Sequence, residues 1–259
     1  RIIEANDDIC AVILEPTGSG FGQTPVTREF LQALREITAK REIILIFDEV
    51  VSGFRASRGG AQEFHNVIPD MASLAKIVAG GLPGGAVCGR KDLLDHLDFD
   101  VTVSKGLEKV SHQGTFNANP LSSAAGVATL KMVRDETPTQ DAIDIAASIR
   151  AKVNQVFVDE GVKWAVYGQF SELHFFTNPD NVDIDPLNFD FMSRKCNFFK
   201  KDPETVTKFR LGLMVNGIDI NGKLAGKVSA VHTDEDADLT ADAVRGALHM
   251  LRSEGTILS

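Results

Sequence analysis

The strongest constraint on this chain is a pair of short, wholly apolar runs, each closed by acids: "CAVILEP" at residues 10–16 and "EIILIFDE" at residues 42–49. Neither run alternates polar and apolar residues, so both read as strands covered on two faces, the pattern of a parallel sheet. Between them lie a Gly/Ser/Thr/Pro loop, "TGSGFGQTP", and "TREFLQALREITAK", which places Phe30, Leu31, Leu34 and Ile37 on one helical face. The order strand, loop, helix, strand predicts one crossover unit of an α/β sheet, right-handed as such units are.

Further on, "MASLAK" reads as a weak strand, "IVAGGLPGG" as a glycine-rich turn and "GAVCGR" as another strand. "NPLSSAAGVATLKMV" predicts a helix: Asn119 can cap it, Pro120 suits the first helical position, and Ala124, Ala125 and Gly126 permit close packing. The polar stretch "RDETPTQ" marks a boundary, giving a large domain over 1–135 and a smaller α+β domain over 136–259. In the second, a helix is predicted over "AIDIAASIRAKVNQVFVDEG", strands at "KWAVYG", "SELHFFT" and "GIDI", and a helix from about Pro203. A final helix follows "HTDED", with Thr233 as N-cap and acids at the positive end of its dipole; that reading is preferred to a metal site.

With 259 residues and 43% hydrophobic content the chain can bury a full core. A net charge of −9 argues against a nucleic-acid binder that relies on a basic face. No apolar stretch approaches the roughly 20 residues that cross a bilayer. Cys10, Cys88 and Cys196 share no short spacing, so no disulfide framework or zinc knuckle is expected, and a reducing cytoplasm fits. The opening on Arg1, directly before a strand, reads as a fragment whose upstream part is missing.

In parallel sheets, ligands gather beyond the carboxyl ends of the strands. Glu15, Asp48 and Lys76 lie at such ends. Taken singly, a strand-end acid is a loop residue or cap, and a lone lysine is a solvated charge. Together, a lysine among glycines can form a Schiff base, and an aspartate on a neighbouring strand can hold a pyridine nitrogen protonated. That pairing is what proteins contribute to pyridoxal phosphate chemistry. A dinucleotide-binding domain is excluded by the lack of G-x-G-x-x-G between strand and helix.

Four segments, "VILEPTGSGFGQTP", "LIFDEVVSGFR", "SLAKIVAGGLPGGAVCGR" and "HQGTFNANPLSSAAGVATL", in this order, resemble the motifs of class III pyridoxal-phosphate aminotransferases, in particular glutamate-1-semialdehyde 2,1-aminomutase and its aminotransferase relatives. The resemblance implies the fold-type-I transferase architecture of pyridoxal 5'-phosphate enzymes, a mostly parallel α/β large domain plus the α+β domain. It also implies a homodimer with the active site at the interface, and a small amino-acid or amino-aldehyde substrate. Lys76 would form the Schiff base and shuttle the proton, Asp48 would pair with the ring nitrogen, and Val50 would pack on a ring face. Thr115 would donate to the cofactor phosphate across the dimer interface. Glu15 is either a motif glutamate near the site or a loop cap, and Arg55 is read as half of a structural salt bridge. Aminomutases tend to carry an asparagine in the loop after the "EP" pair; Gly20 stands there, which weakens the mutase reading. The alternative is a degenerate member or fragment that folds and dimerises without chemistry.

Overall fold

The computed structural model describes residues 1–193 and 195–257. The chain divides into two compact units: Arg1–Phe21 with Val26–Thr137, and Gly22–Pro25 with the chain from Pro138 onward.

In the first unit the two apolar runs become β1 (Ala11–Leu14) and β2 (Ile44–Glu49), paired in parallel with Val12 opposite Leu45. Helix α1 (Arg28–Lys40) connects them, its first turn capped by the Thr27 hydroxyl, which accepts from the Phe30 amide. Helix α2 (Gly60–His65) follows, then β3 (Met71–Ala75), parallel to β2, and β4 (Gly85–Gly89), antiparallel to β3. The sheet order is β1-β2-β3-β4, mostly parallel with one antiparallel edge.

One face of this sheet is packed and the other is not. Leu45, Phe47 and Ala72 are buried with Leu31 of α1 and Val67. On β2 the alternate residues Ile44, Ile46 and Asp48 are only half-buried, and Ile13 of edge strand β1 is 64% exposed. The expected two-sided cover is therefore absent from these strands among the described residues. The helical stripe also differs from expectation: Leu31 and Thr38 are buried, while Phe30 lies at the edge of the contact, exposed. Helix α3 (Pro120–Asp135) ends the unit, with the Asn119 side chain accepting from the amides of Leu121 and Ser122.

The second unit begins its main run with α4 (Pro138–Asp159) and holds an antiparallel sheet of β5 (Ala165–Tyr167), β6 (Glu172–Phe176) and β7 (Ala225–Lys227). Helices α5 (Pro203–Val215) and α6 (Asp234–Ser253) complete it. One apolar cluster joins Phe157, Trp164, Phe175, Phe209, Leu213 and Leu248. Thr233 and Asp236 exchange side-chain and backbone hydrogen bonds at the start of α6, a reciprocal cap that satisfies two otherwise orphaned amides. The predicted strand "GIDI" is not one. Arg210 Nε donates to the Ile220 carbonyl at 2.7 Å and its Nη2 reaches Asp219, so a side chain takes a backbone acceptor that a ladder would use. The third strand instead falls at β7.

Candidate active site

Asp48 and Lys76 stand at the carboxyl ends of two adjacent parallel strands. Asp48 is the fifth residue of β2 and the register partner of Ser73 on β3. Lys76 follows β3 directly. Successive strand residues face opposite ways, so Asp48 shares the half-open face of Ile44 and Ile46, whereas Glu49 points into the packed side.

The two neighbouring acids are held differently. Glu49 is fully buried and accepts four hydrogen bonds: from Ser52 Oγ and the Ala61 amide on Oε2, and from the amide and side-chain nitrogen of Gln62 on Oε1. These satisfy a buried carboxylate and tie the loop after β2 back to its strand. Asp48 is half-buried, and its donors, Val50 N at 3.1 Å and Ser73 Oγ at 3.2 Å, both fall on Oδ1. Among the described residues Oδ2 takes no donor.

Lys76 is exposed, opens a single 3₁₀ turn (Lys76–Ala79), and has φ near 54°. A non-glycine residue in the left-handed region is uncommon and costs on the order of 1–3 kcal/mol. Close packing holds the turn in place. A Cβ on Gly126 of α3 would sit 2.5 Å from the Val78 carbonyl, and one on Gly80 would sit 2.5 Å from the Ala125 carbonyl. The small-residue stretch of α3 thus lets the helix lie directly against the lysine's turn. No carboxylate lies within ion-pair distance of Lys76 among the described residues.

Val50 is half-buried just after β2, and Thr115 is exposed at the first position of the turn over residues 115–118. A cleft of about 470 Å³ lies beside these segments, lined by Val78, Gly85, Phe116, Asn117 and Ser122 among others. Its lining includes none of Lys76, Asp48, Val50 and Thr115.

Glu15 caps its loop: Oε1 accepts from the Gly20 amide and Oε2 from the Phe21 amide, two residues with positive φ. The predicted Arg55 salt bridge is not formed among the described residues; Arg55 Nη1 donates to the Val51 carbonyl four residues back. Beside β2, Asp70 accepts from the Leu45 amide, Arg35 and Arg90. Burial works against its charged form, but the Leu45 amide and the two guanidiniums outweigh that and lower its pKa. Sequence reasoning did not single out Ser73 or Glu49. Ser73 becomes visible only through cross-strand register. Glu49 could have been found from alternation, since of two consecutive acids on a half-covered strand one must face inward.

The mostly parallel sheet with helices places the first unit in the α/β class, the fold shared with the solved class III transaminases. The Aminotransferase class-III profile matches residues 2–163, and the chain belongs to that family. Glutamate-1-semialdehyde 2,1-aminomutase of Chloroherpeton thalassium is 32% identical over 261 residues, covering 96% of this chain and 54% of that protein. The Rhodopirellula baltica protein of the same name is 40% identical over 177 residues, 68% of this chain and 39% of its own length. An omega-transaminase from Sphaerobacter thermophilus superimposes with a TM-score of 0.80 at 31% identity, over 97% of this chain and 55% of that one. The chain spans about half the length of the curated relatives it matches. Among the described residues no helix is long and apolar enough to cross a membrane.

Proposed function

We propose that this chain carries the lysine and the aspartate of a pyridoxal 5'-phosphate-dependent enzyme of amino-group transfer, acting in the cytoplasm on a small amino-acid or amino-aldehyde substrate. The observation that carries the reading is the pairing at adjacent strand ends: a carboxylate with one oxygen that takes no donor among the described residues, and a lysine that has no counter-ion among them and opens a turn with positive φ. These residues fit the cofactor, because its pyridine nitrogen needs an anionic acceptor and its aldehyde needs an amine that can shed its proton. When bound, the cofactor supplies an electron sink for the pair left when a carbon-bound proton is removed.

The chain's own residues do the rest. Lys76 Nζ would hold the cofactor at its aldehyde end and, once a substrate amine takes its place there, would serve as the base that takes and returns the carbon-bound proton. Positioned proton transfer of this kind is worth about 10²–10⁴-fold. Asp48 Oδ2 would hold the ring nitrogen protonated, and Val50 would pack on one ring face. In a homodimer, Thr115 of one copy would donate to the cofactor phosphate of the other, a role that its exposure on a turn supports. Residues 1–135 act as the cofactor-binding domain and 136–259 as the small domain. Gly20 has no side chain to reach the ring hydroxyl, and its amide is committed to Glu15, which favours a transaminase over an aminomutase.

The test is covalent labelling. Pyridoxal phosphate followed by borohydride should place a pyridoxyl-phosphate group on the peptide containing Lys76. Lys76→Ala should abolish both the label and turnover without loss of fold. A label on another lysine, or an equal label on Lys76→Ala, would overturn the assignment.

A further inference from the structure

We propose that Ser73 is a positioning residue for Asp48: its hydroxyl fixes the carboxylate so that Oδ2, rather than Oδ1, meets the pyridine nitrogen. The inference rests on the cofactor reading above.

The carboxylate torsion of an aspartate is soft and roughly two-fold, so one anchor does not settle which oxygen faces a ligand. Here two donors converge on one oxygen. The Val50 amide comes from Asp48's own loop at 3.1 Å, and the Ser73 hydroxyl comes from the neighbouring strand at 3.2 Å. Because Asp48 and Ser73 are register partners, their side chains leave the sheet on the same face, and the contact follows from the pairing of β2 with β3. A local amide alone holds the carboxylate within its turn. The hydroxyl adds a second direction, and the two together define the plane of the group.

The consequence is geometric: with both donors on Oδ1, Oδ2 is the oxygen that has no donor among the described residues. Ser73 lies three residues before Lys76 on the same strand and turn. One short segment therefore carries both the amine that would hold the cofactor's aldehyde end and the hydroxyl that orients the acceptor for its nitrogen end. An O–H···O contact of 3.2 Å is longer than the usual 2.7–2.8 Å. The effect of removing it is accordingly moderate.

The experiment compares wild type, Ser73→Ala, Ser73→Thr, Asp48→Asn and the Ser73→Ala/Asp48→Asn double variant. It measures equilibrium affinity for pyridoxal phosphate, the pH midpoint of the bound cofactor's absorption band, and thermal stability. Ser73→Ala should weaken cofactor affinity roughly 5- to 10-fold, in the range for one ordinary hydrogen bond and below that for a short one to a charged group. It should also raise the pH midpoint by about half a unit, because a ring nitrogen that holds its proton less firmly withdraws less charge from the nitrogen linked to Lys76, whose titration the band reports. Ser73→Thr, which keeps the hydroxyl, should restore both. In the Asp48→Asn background, Ser73→Ala should add no further change in either quantity, since it acts through Asp48. Wild-type affinity and midpoint in Ser73→Ala would overturn the role of Ser73 while the cofactor reading stands. So would a loss that tracks thermal stability and is not restored by threonine. If wild type forms no borohydride-reducible adduct at Lys76, the cofactor reading falls and this inference falls with it.

Discussion

The two units of the chain differ in how much of their apolar surface they cover themselves. In the second, α4, α5 and α6 close over the sheet, and Phe157, Phe209, Leu213 and Leu248 are essentially inaccessible. In the first, every residue of β4 is exposed, and Phe116 and Val103 are 78% and 64% exposed. The residues to which the proposal assigns chemistry, Asp48, Val50, Lys76 and Thr115, all lie in the first unit, at strand ends and in turns. The difference teaches that close packing is concentrated in the second unit, whereas the proposed site falls in the unit that leaves more of its apolar surface exposed.

The largest mutational effect that sharpens this contrast is in the second unit. Leu248→Ala should cost about 3–5 kcal/mol, the upper range for a fully buried leucine with no room to collapse. Val87→Ala on exposed β4 should cost under about 0.5 kcal/mol. Denaturant titration of both variants checks the pair. A comparable loss from Val87→Ala would break the contrast, because it would mean that this face is covered in solution.

The smallest effect concerns pH and belongs to the first unit alone. Burial, with help from the nearby Arg28, lowers the His65 pKa below its ordinary value near 6.5, while Glu29 and the Pro16 carbonyl act in the opposite sense. A lowered histidine pKa means that the folded state prefers the neutral ring. Its contribution is complete above about pH 6.5 and is lost as pH falls toward the depressed value. Asp70, also depressed, acts in a separate window, losing its contribution only as pH falls below its ordinary value of 3.8. Stability measured between pH 7 and 5 should therefore decline in wild type and decline less in His65→Gln. Equal slopes would remove His65 from the account.

Much of this was legible in the sequence, for identifiable reasons. Asp48 sits where an uninterrupted apolar run ends, Lys76 where a weaker strand gives way to glycines, and the order of the surrounding motifs carries the family. The caps at Thr27, Asn119 and Thr233 are local, so their residue types were enough. What escaped depends on distant parts of the chain. Ser73 meets Asp48 only once two strands 25 residues apart take a particular register. The uncovered face of β1 and β2 is invisible in a run such as "AVIL", which reads alike whether one side is covered or both. "GIDI" has the composition of a strand, yet Arg210 captures its carbonyl. Arg55 similarly turns back on its own loop rather than onto a carboxylate.

The central claim is that Asp48 and Lys76 grip opposite ends of one cofactor ring, and a crystal structure of the protein with pyridoxal phosphate tests it most directly. The account predicts the pyridine nitrogen within hydrogen-bond distance of Asp48 Oδ2, Ser73 still on Oδ1, and Lys76 Nζ bonded to the cofactor's aldehyde carbon. A cofactor seated elsewhere, or packed side chains separating the Asp48 carboxylate from the Lys76 amine, would contradict it.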